Sequence, residues 1–85
     1  MKRLISFDAY AGAYDVLDAL YPIRTLAGVR SVELLSALEG SPKFCVIVDV
    51  EDDHDAAVVA KMESLGKEYA GYHTNMSSRA FRQVT

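Results

Sequence analysis

Residues 43–50, Lys43-Phe44-Cys45-Val46-Ile47-Val48-Asp49-Val50, constrain this chain more than any other stretch. Extended backbone sends alternate side chains to opposite faces. Phe44, Val46, Val48 and Val50 then fall on one face, and Cys45 and Ile47 on the other. A strand that is apolar on both faces needs two covers. Helices of the same small domain supply one. The other has to come from a partner or a ligand, so the stretch points to assembly without naming a chemistry.

The chain has 85 residues, enough for one domain. A domain of that size buries roughly 60% of the surface its unfolded chain exposes, so association would add usefully to a modest core. The net charge of −3 and the lack of a basic stripe argue against nucleic-acid binding. Lys2-Arg3 and the pair Arg79 and Arg82 are the local exceptions, read as solvated chain ends. The single cysteine, Cys45, rules out an internal disulfide and reads as a buried, inert thiol. No Cys/His cluster has zinc spacing, and no metal or cofactor is expected. Residues 1–20 carry Asp8, Asp15 and Asp18 and no uninterrupted apolar stretch, so neither a signal peptide nor a membrane span is expected. The expected location is the cytoplasm.

Along the chain, residues 2–7 read as a first strand, with Ile5 and Phe7 on one face and Leu4 on the other. Asp8 is placed to cap the next element. Residues 9–27 show helical spacing through Ala13, Val16, Leu20, Ile23 and Ala27. Pro22 interrupts them, predicting a kink, or a stop near Leu20 followed by a short second turn. Gly28 ends the element. Residues 29–38 read as a second strand, with Val32, Leu34 and Leu38 on one face. Glu39-Gly40-Ser41-Pro42 is turn composition and joins it to residues 43–50 as a hairpin.

Asp52 or Asp53 is expected to cap a second helix. Asp55 would sit in its first turn, Val58, Met62 and Leu65 would form its buried stripe, and Gly66 would stop it. A fourth strand is expected over residues 67–76, weakened at Gly71, and a polar tail with one anchor, Phe81, over 77–85. The domain is thus placed at 1–76 and the tail at 77–85. The resulting order, β-α-β-β-α-β, predicts a ferredoxin-like α+β sandwich. Its sheet has four antiparallel strands, and two helices lie on one face.

Ala27-Gly28-Val29, then Val32-Glu33-Leu34-Leu35, Gly40, residues 44–50 and a helix opened by acidic residues form a pattern spanning roughly 27–66. It resembles the small ferredoxin-like domains of dimeric α+β barrels. Examples are the EthD-like and stress-responsive barrel families and the ligand-binding domains of leucine-responsive regulators. ACT domains share much of it. The chain lacks the glycine-bearing loop of ACT domains, apart from Gly12, and the DNA-binding segment of the regulators. The resemblance implies two sheets from two subunits packed face to face, with a small-molecule ligand or cofactor-independent chemistry in some members. No catalytic residue of those families maps onto this chain.

Candidate chemistry centres on His73. In Tyr69-Ala70-Gly71-Tyr72-His73-Thr74-Asn75, alternation sets Tyr69, Gly71, His73 and Asn75 on one face. A general base with hydrogen-bonding neighbours would suit acid–base chemistry on a small substrate. The competing reading is a structural or interface histidine bonded to a carbonyl or carboxylate. His54 reads as a solvated helix-start residue, and its acidic neighbours suit capping better than metal binding. Asp49 is a carboxylate on an otherwise apolar face. It is either exposed near the strand end or paired with Arg30, Arg79 or Arg82. Tyr10, Tyr14 and Tyr21, with Phe7 just before them, would line a pocket or pack as core and rim.

The candidate ligand-binding set is therefore Phe7, Tyr10, Asp49, Tyr69 and His73, with His73 the catalytic candidate, and Cys45 and Ile47 are the interface candidates. The leading expectation is a stand-alone ligand-binding or regulatory interaction module, a homodimer or higher homo-oligomer assembled through its sheet face. The alternative is a small cofactor-independent enzyme acting through His73. A third reading makes the chain a subunit of a larger complex docked by residues 77–85.

Overall fold

Alternation of apolar and polar residues sets up the sheet, and the helices close one side of it. A computed structural model describes residues 1–68 and 74–85. Strand β1 spans Lys2–Asp8, β2 Val29–Ser36, β3 Phe44–Val50 and β4 Thr74–Phe81. Helix α1 spans Ala13–Ala19, α2 Tyr21–Arg24 and α3 Asp55–Glu68, with a 3₁₀ turn at Asp52–His54 leading into α3. The sheet order is β2-β3-β1-β4, and every neighbouring pair is antiparallel. This is the ferredoxin-like α+β arrangement, with β1 and β3 in the centre.

The core lies between the helices and one face of the sheet. Ile5 and Phe7 from β1 and Phe44, Val46, Val48 and Val50 from β3 are buried there. Val16, Leu20 and Ile23 cover them from α1 and α2, and Val58, Met62 and Leu65 from α3. Phe7 and Phe44 are register partners whose ring centroids lie 5.9 Å apart, tilted at 39°. Such a pair adds roughly 1 kcal/mol beyond the area it buries. No polar or charged side chain is buried among the described residues.

Pro22 does what its ring dictates. Helix α1 stops at its C-cap Leu20, and the chain restarts in α2 with proline in the first turn, where a missing amide costs little. The break rotates the chain beyond it. Ala27, expected on the buried stripe, is exposed, and Leu26 packs against the core in its place.

Four boundaries differ from expectation. Asp8 does not cap α1, whose N-cap is Gly12. Instead its carboxylate accepts the Lys43 backbone N–H at 2.8 Å and ties the end of β1 to the start of β3. Leu38 lies past the end of β2 and is fully exposed. Helix α3 runs through Gly66 to Glu68, because a glycine inside a helix weakens it by only about 1 kcal/mol and does not oblige it to stop. Strand β4 begins at Thr74, so Ser77–Phe81, expected as part of a polar tail, pair with β1. Edge strands tolerate polar side chains, and that disguised the second part of β4, Ser77–Phe81, as a tail. The segment 82–85 lies outside any element.

Lys2-Arg3 is not simply a solvated end. Arg3 points to the helix side of β1 and grips Asp55 at the start of α3. Its Nε donates to Asp55 Oδ1 at 2.9 Å, its Nη2 donates to Oδ2, and its Nη1 reaches Ser78 Oγ on β4 at 3.1 Å. The two side chains are mostly shielded from solvent, at 16% and 14% exposure. The hydrogen bonds from Arg3 hold the Asp55 carboxyl below the usual carboxylate range against the opposing effect of burial, and the guanidinium charge adds to them. One bidentate contact thus joins sheet to helix.

Candidate functional site

Strand pairing lays out the outer face of the sheet in three rows. At one end lie Ser31, Asp49, Lys2 and Phe81. In the middle lie Glu33, Ile47, Leu4 and Arg79. At the other end lie Leu35, Cys45, Ser6 and Ser77. Each row reads across β2, β3, β1 and β4 in that order. Ile47, Leu4 and Cys45 form an apolar centre, half-buried by their neighbours alone. Leu35 and Phe81, 48% and 39% exposed, extend it toward two opposite corners. None of the described helices packs on this side, because the helix-facing core positions of β1 and β3 have the opposite parity. Cys45 and Ile47, the residues expected to lack a cover within the chain, sit here together.

In the middle row the charges are segregated to the two edges. Glu33 stands on β2, one edge of the sheet, and Arg79 on β4, the other edge, in the same row. Three strand spacings of about 4.8 Å put them roughly 14 Å apart, beyond ion-pair reach. Arg79 lays its guanidinium over the Phe81 ring, 4.9 Å from the centroid. Among the described residues neither Glu33 nor Arg79 has an ion-pair partner within the chain. Asp49 has one. Arg30 Nη1 lies 3.4 Å from its Oδ1, with both side chains partly exposed. Of the three arginines that could have paired with Asp49, Arg30 is the one that does.

The candidate ligand-binding residues are not gathered. Phe7 is fully buried on the helix side near one end of β1, whereas Asp49 is on the outer face of β3, paired in register with Lys2 at the other end. Tyr10 is 90% exposed, and Tyr14 and Tyr21 also stand in solvent instead of lining a space between helix and sheet. Asp49 borders an open groove of about 240 Å³ shared with Lys2, Arg30 and Arg82, smaller and far more polar than the usual small-molecule pocket. Tyr69 and His73, the catalytic candidate among them, lie outside the described residues.

His54 has a context the sequence did not indicate. Its Nδ1 lies 3.0 Å from Asp53 Oδ1 and 3.6 Å from Glu51 Oε2, a cluster able in principle to offer three ligand atoms to a metal ion. All three groups are accessible to water, and their mutual contacts account for the geometry without an ion. Neither Asp52 nor Asp53 makes the expected side-chain cap. The ring is set by a glycine. Gly28 has φ +82°, and a Cβ there would come within 2.4 Å of His54 Cγ. The Gly28 carbonyl also accepts the Glu51 N–H at 2.9 Å. The loop before β2 and the turn before α3 therefore lock together through Gly28. A glycine followed by a strand was the available signal, but its contact partner lies 26 residues away in sequence.

No described helix is long and apolar enough to cross a membrane. The chain matches no family model and no curated protein. Its class therefore rests on the fold, a ferredoxin-like α+β domain with one sheet face under helices and the other open.

Proposed function

We infer that the chain is a small interaction module whose working surface is the open sheet face, and that it assembles there into a homodimer. The supporting observation is the apolar centre of Ile47, Leu4 and Cys45, continued by Leu35 and Phe81, on a face that no described element covers. Covering this face removes further apolar surface from water at about 25 cal/mol per Å². The dimeric α+β barrel families that the pattern of residues 27–66 resembles assemble in this manner, and some hold small molecules. A ligand-binding or regulatory role is the corresponding reading for this chain.

Sedimentation or light scattering across a concentration series tests the assembly. Wild type is expected to dimerise, and Ile47→Asp to sediment as a folded monomer with an unchanged far-UV spectrum. A folded Ile47→Asp that keeps the wild-type mass would show that association, if any, uses another surface.

A further inference from the structure

The charge layout of the open face bears on how two copies meet, an inference that rests on the assembly reading. Two identical sheets packed face to face share a two-fold axis lying in the interface plane. Aligned packing of twisted sheets keeps the strands within about 30° of each other. That leaves two orientations for the axis, near-parallel to the strands or near-perpendicular to them.

The perpendicular axis lays each strand over its own copy. Glu33 then faces the partner's Glu33, and Arg79 the partner's Arg79, giving two like-charge pairs at the rim. The parallel axis, running between β1 and β3, reverses the order across the sheet. Strand β2 then lies over the partner's β4, and β3 over the partner's β1. In the middle row Glu33 meets the partner's Arg79, Ile47 meets the partner's Leu4, and the symmetry repeats both contacts. In the row beside it Asp49 falls over the partner's Lys2. Both charges of the middle row thereby gain an opposite charge, while the apolar centres stay in register.

We propose that the occupant of the open face is a second copy of this chain, docked about a two-fold axis parallel to the strands and clamped by two Glu33–Arg79 ion pairs between subunits. The placement of Arg79 supports this geometry. Its stacking on Phe81 holds the guanidinium along the outer surface of the edge strand, where an incoming carboxylate can reach it. Opposite charges at the rim of an interface select orientation more than they add affinity, and like charges reject the wrong one.

A charge-exchange series tests the orientation. Glu33→Arg makes both rim positions of the middle row positive, and Arg79→Glu makes both negative. Each variant alone should dimerise at least about tenfold more weakly than wild type at low salt, with the penalty shrinking at ~0.5 M salt. Mixing the two variants should restore dimers, now heterodimers. The arginine introduced at position 33 of one subunit then faces the glutamate introduced at position 79 of the other, and the native Glu33 faces the native Arg79. The doubly exchanged chain should again form homodimers. If either single variant dimerises like wild type, the orientation is wrong, because about the perpendicular axis each exchange only replaces one like-charge pair with another. If Glu33→Arg and Arg79→Glu mixed together associate no better than either alone, the clamp is wrong. Both failures leave the face itself standing so long as Ile47→Asp dissociates the dimer, whereas a wild type that stays monomeric, or an indifferent Ile47→Asp, removes the assembly reading as well.

Discussion

The two faces of one sheet make the comparison on which this molecule turns. Val48 and Ile47 are neighbours on β3. Val48 faces the helices and is fully buried, whereas Ile47 faces the other way and keeps part of its surface in water. The helix face is closed by Val16, Leu20, Ile23, Val58, Met62 and Leu65, and the Arg3–Asp55 ion pair on it is directed at a helix terminus. The open face has a smaller apolar centre of Ile47, Leu4 and Cys45 that no described element covers, with Glu33 and Arg79 at opposite edges. The same hydrophobic effect acts on both faces, but only one has been satisfied within the chain. What separates them is one residue of strand parity.

The largest expected effect breaks the comparison on the closed side. Val48→Asp would bury a carboxylate with no partner, a loss on the order of 4–5 kcal/mol that should leave the domain largely unfolded in a urea titration. Ile47→Asp, one residue away, should cost the monomer only about 1 kcal/mol, since it alters a half-exposed sheet position. Equal destabilisation by the two substitutions would mean that the faces are not physically distinct.

Asp55→Ala tests the contact that fastens α3 to the closed face. Loss of a charged, bidentate partner of Arg3 should lower stability by about 2–3 kcal/mol. The pH dependence comes from the direction of the shift. The folded Asp55 carboxyl titrates below its unfolded value. Its contribution is therefore present above the ordinary carboxylate range near pH ~4 and fades as pH falls through that range toward the folded value. Wild type should lose more stability than Asp55→Ala on acidification below pH ~5. Parallel acid-denaturation curves would show that the pair contributes nothing.

Gly28→Ala should produce an effect of about 2 kcal/mol, because alanine disfavours φ +82° and its Cβ would overlap the His54 ring. Adding His54→Gly to Gly28→Ala should recover only the part due to overlap. A thermal melt of Gly28→Ala that matches wild type would remove Gly28 as the junction between β2 and α3.

Much of this fold was legible in particular residues. Period-two alternation marked β1 and β3, the spacing of Val58, Met62 and Leu65 marked α3, and Pro22 marked the split between α1 and α2. These signals are local, because side-chain direction follows from backbone period and proline geometry. The buried set Phe44, Val46, Val48 and Val50 was correct for the same reason. Residues 77–81 were expected in the tail because Ser77, Ser78 and Arg79 are polar, and an edge strand is identified by what it pairs with. Phe7 and Asp49 looked like members of one site but sit on opposite faces of the sheet. Tyr10 and its neighbours looked like pocket lining, but an aromatic at helical spacing says nothing about whether a wall stands opposite.

The sequence by itself determined the alternation of elements, the two-faced character of β3, and therefore the need for two covers. Backbone periodicity suffices for that. Tertiary structure alone decided that Arg3 meets Asp55 across 52 residues, that Gly28 seats His54, and that Glu33 and Arg79 end at opposite edges of one row. These depend on strand order and register, which emerge only when the whole sheet closes against its helices.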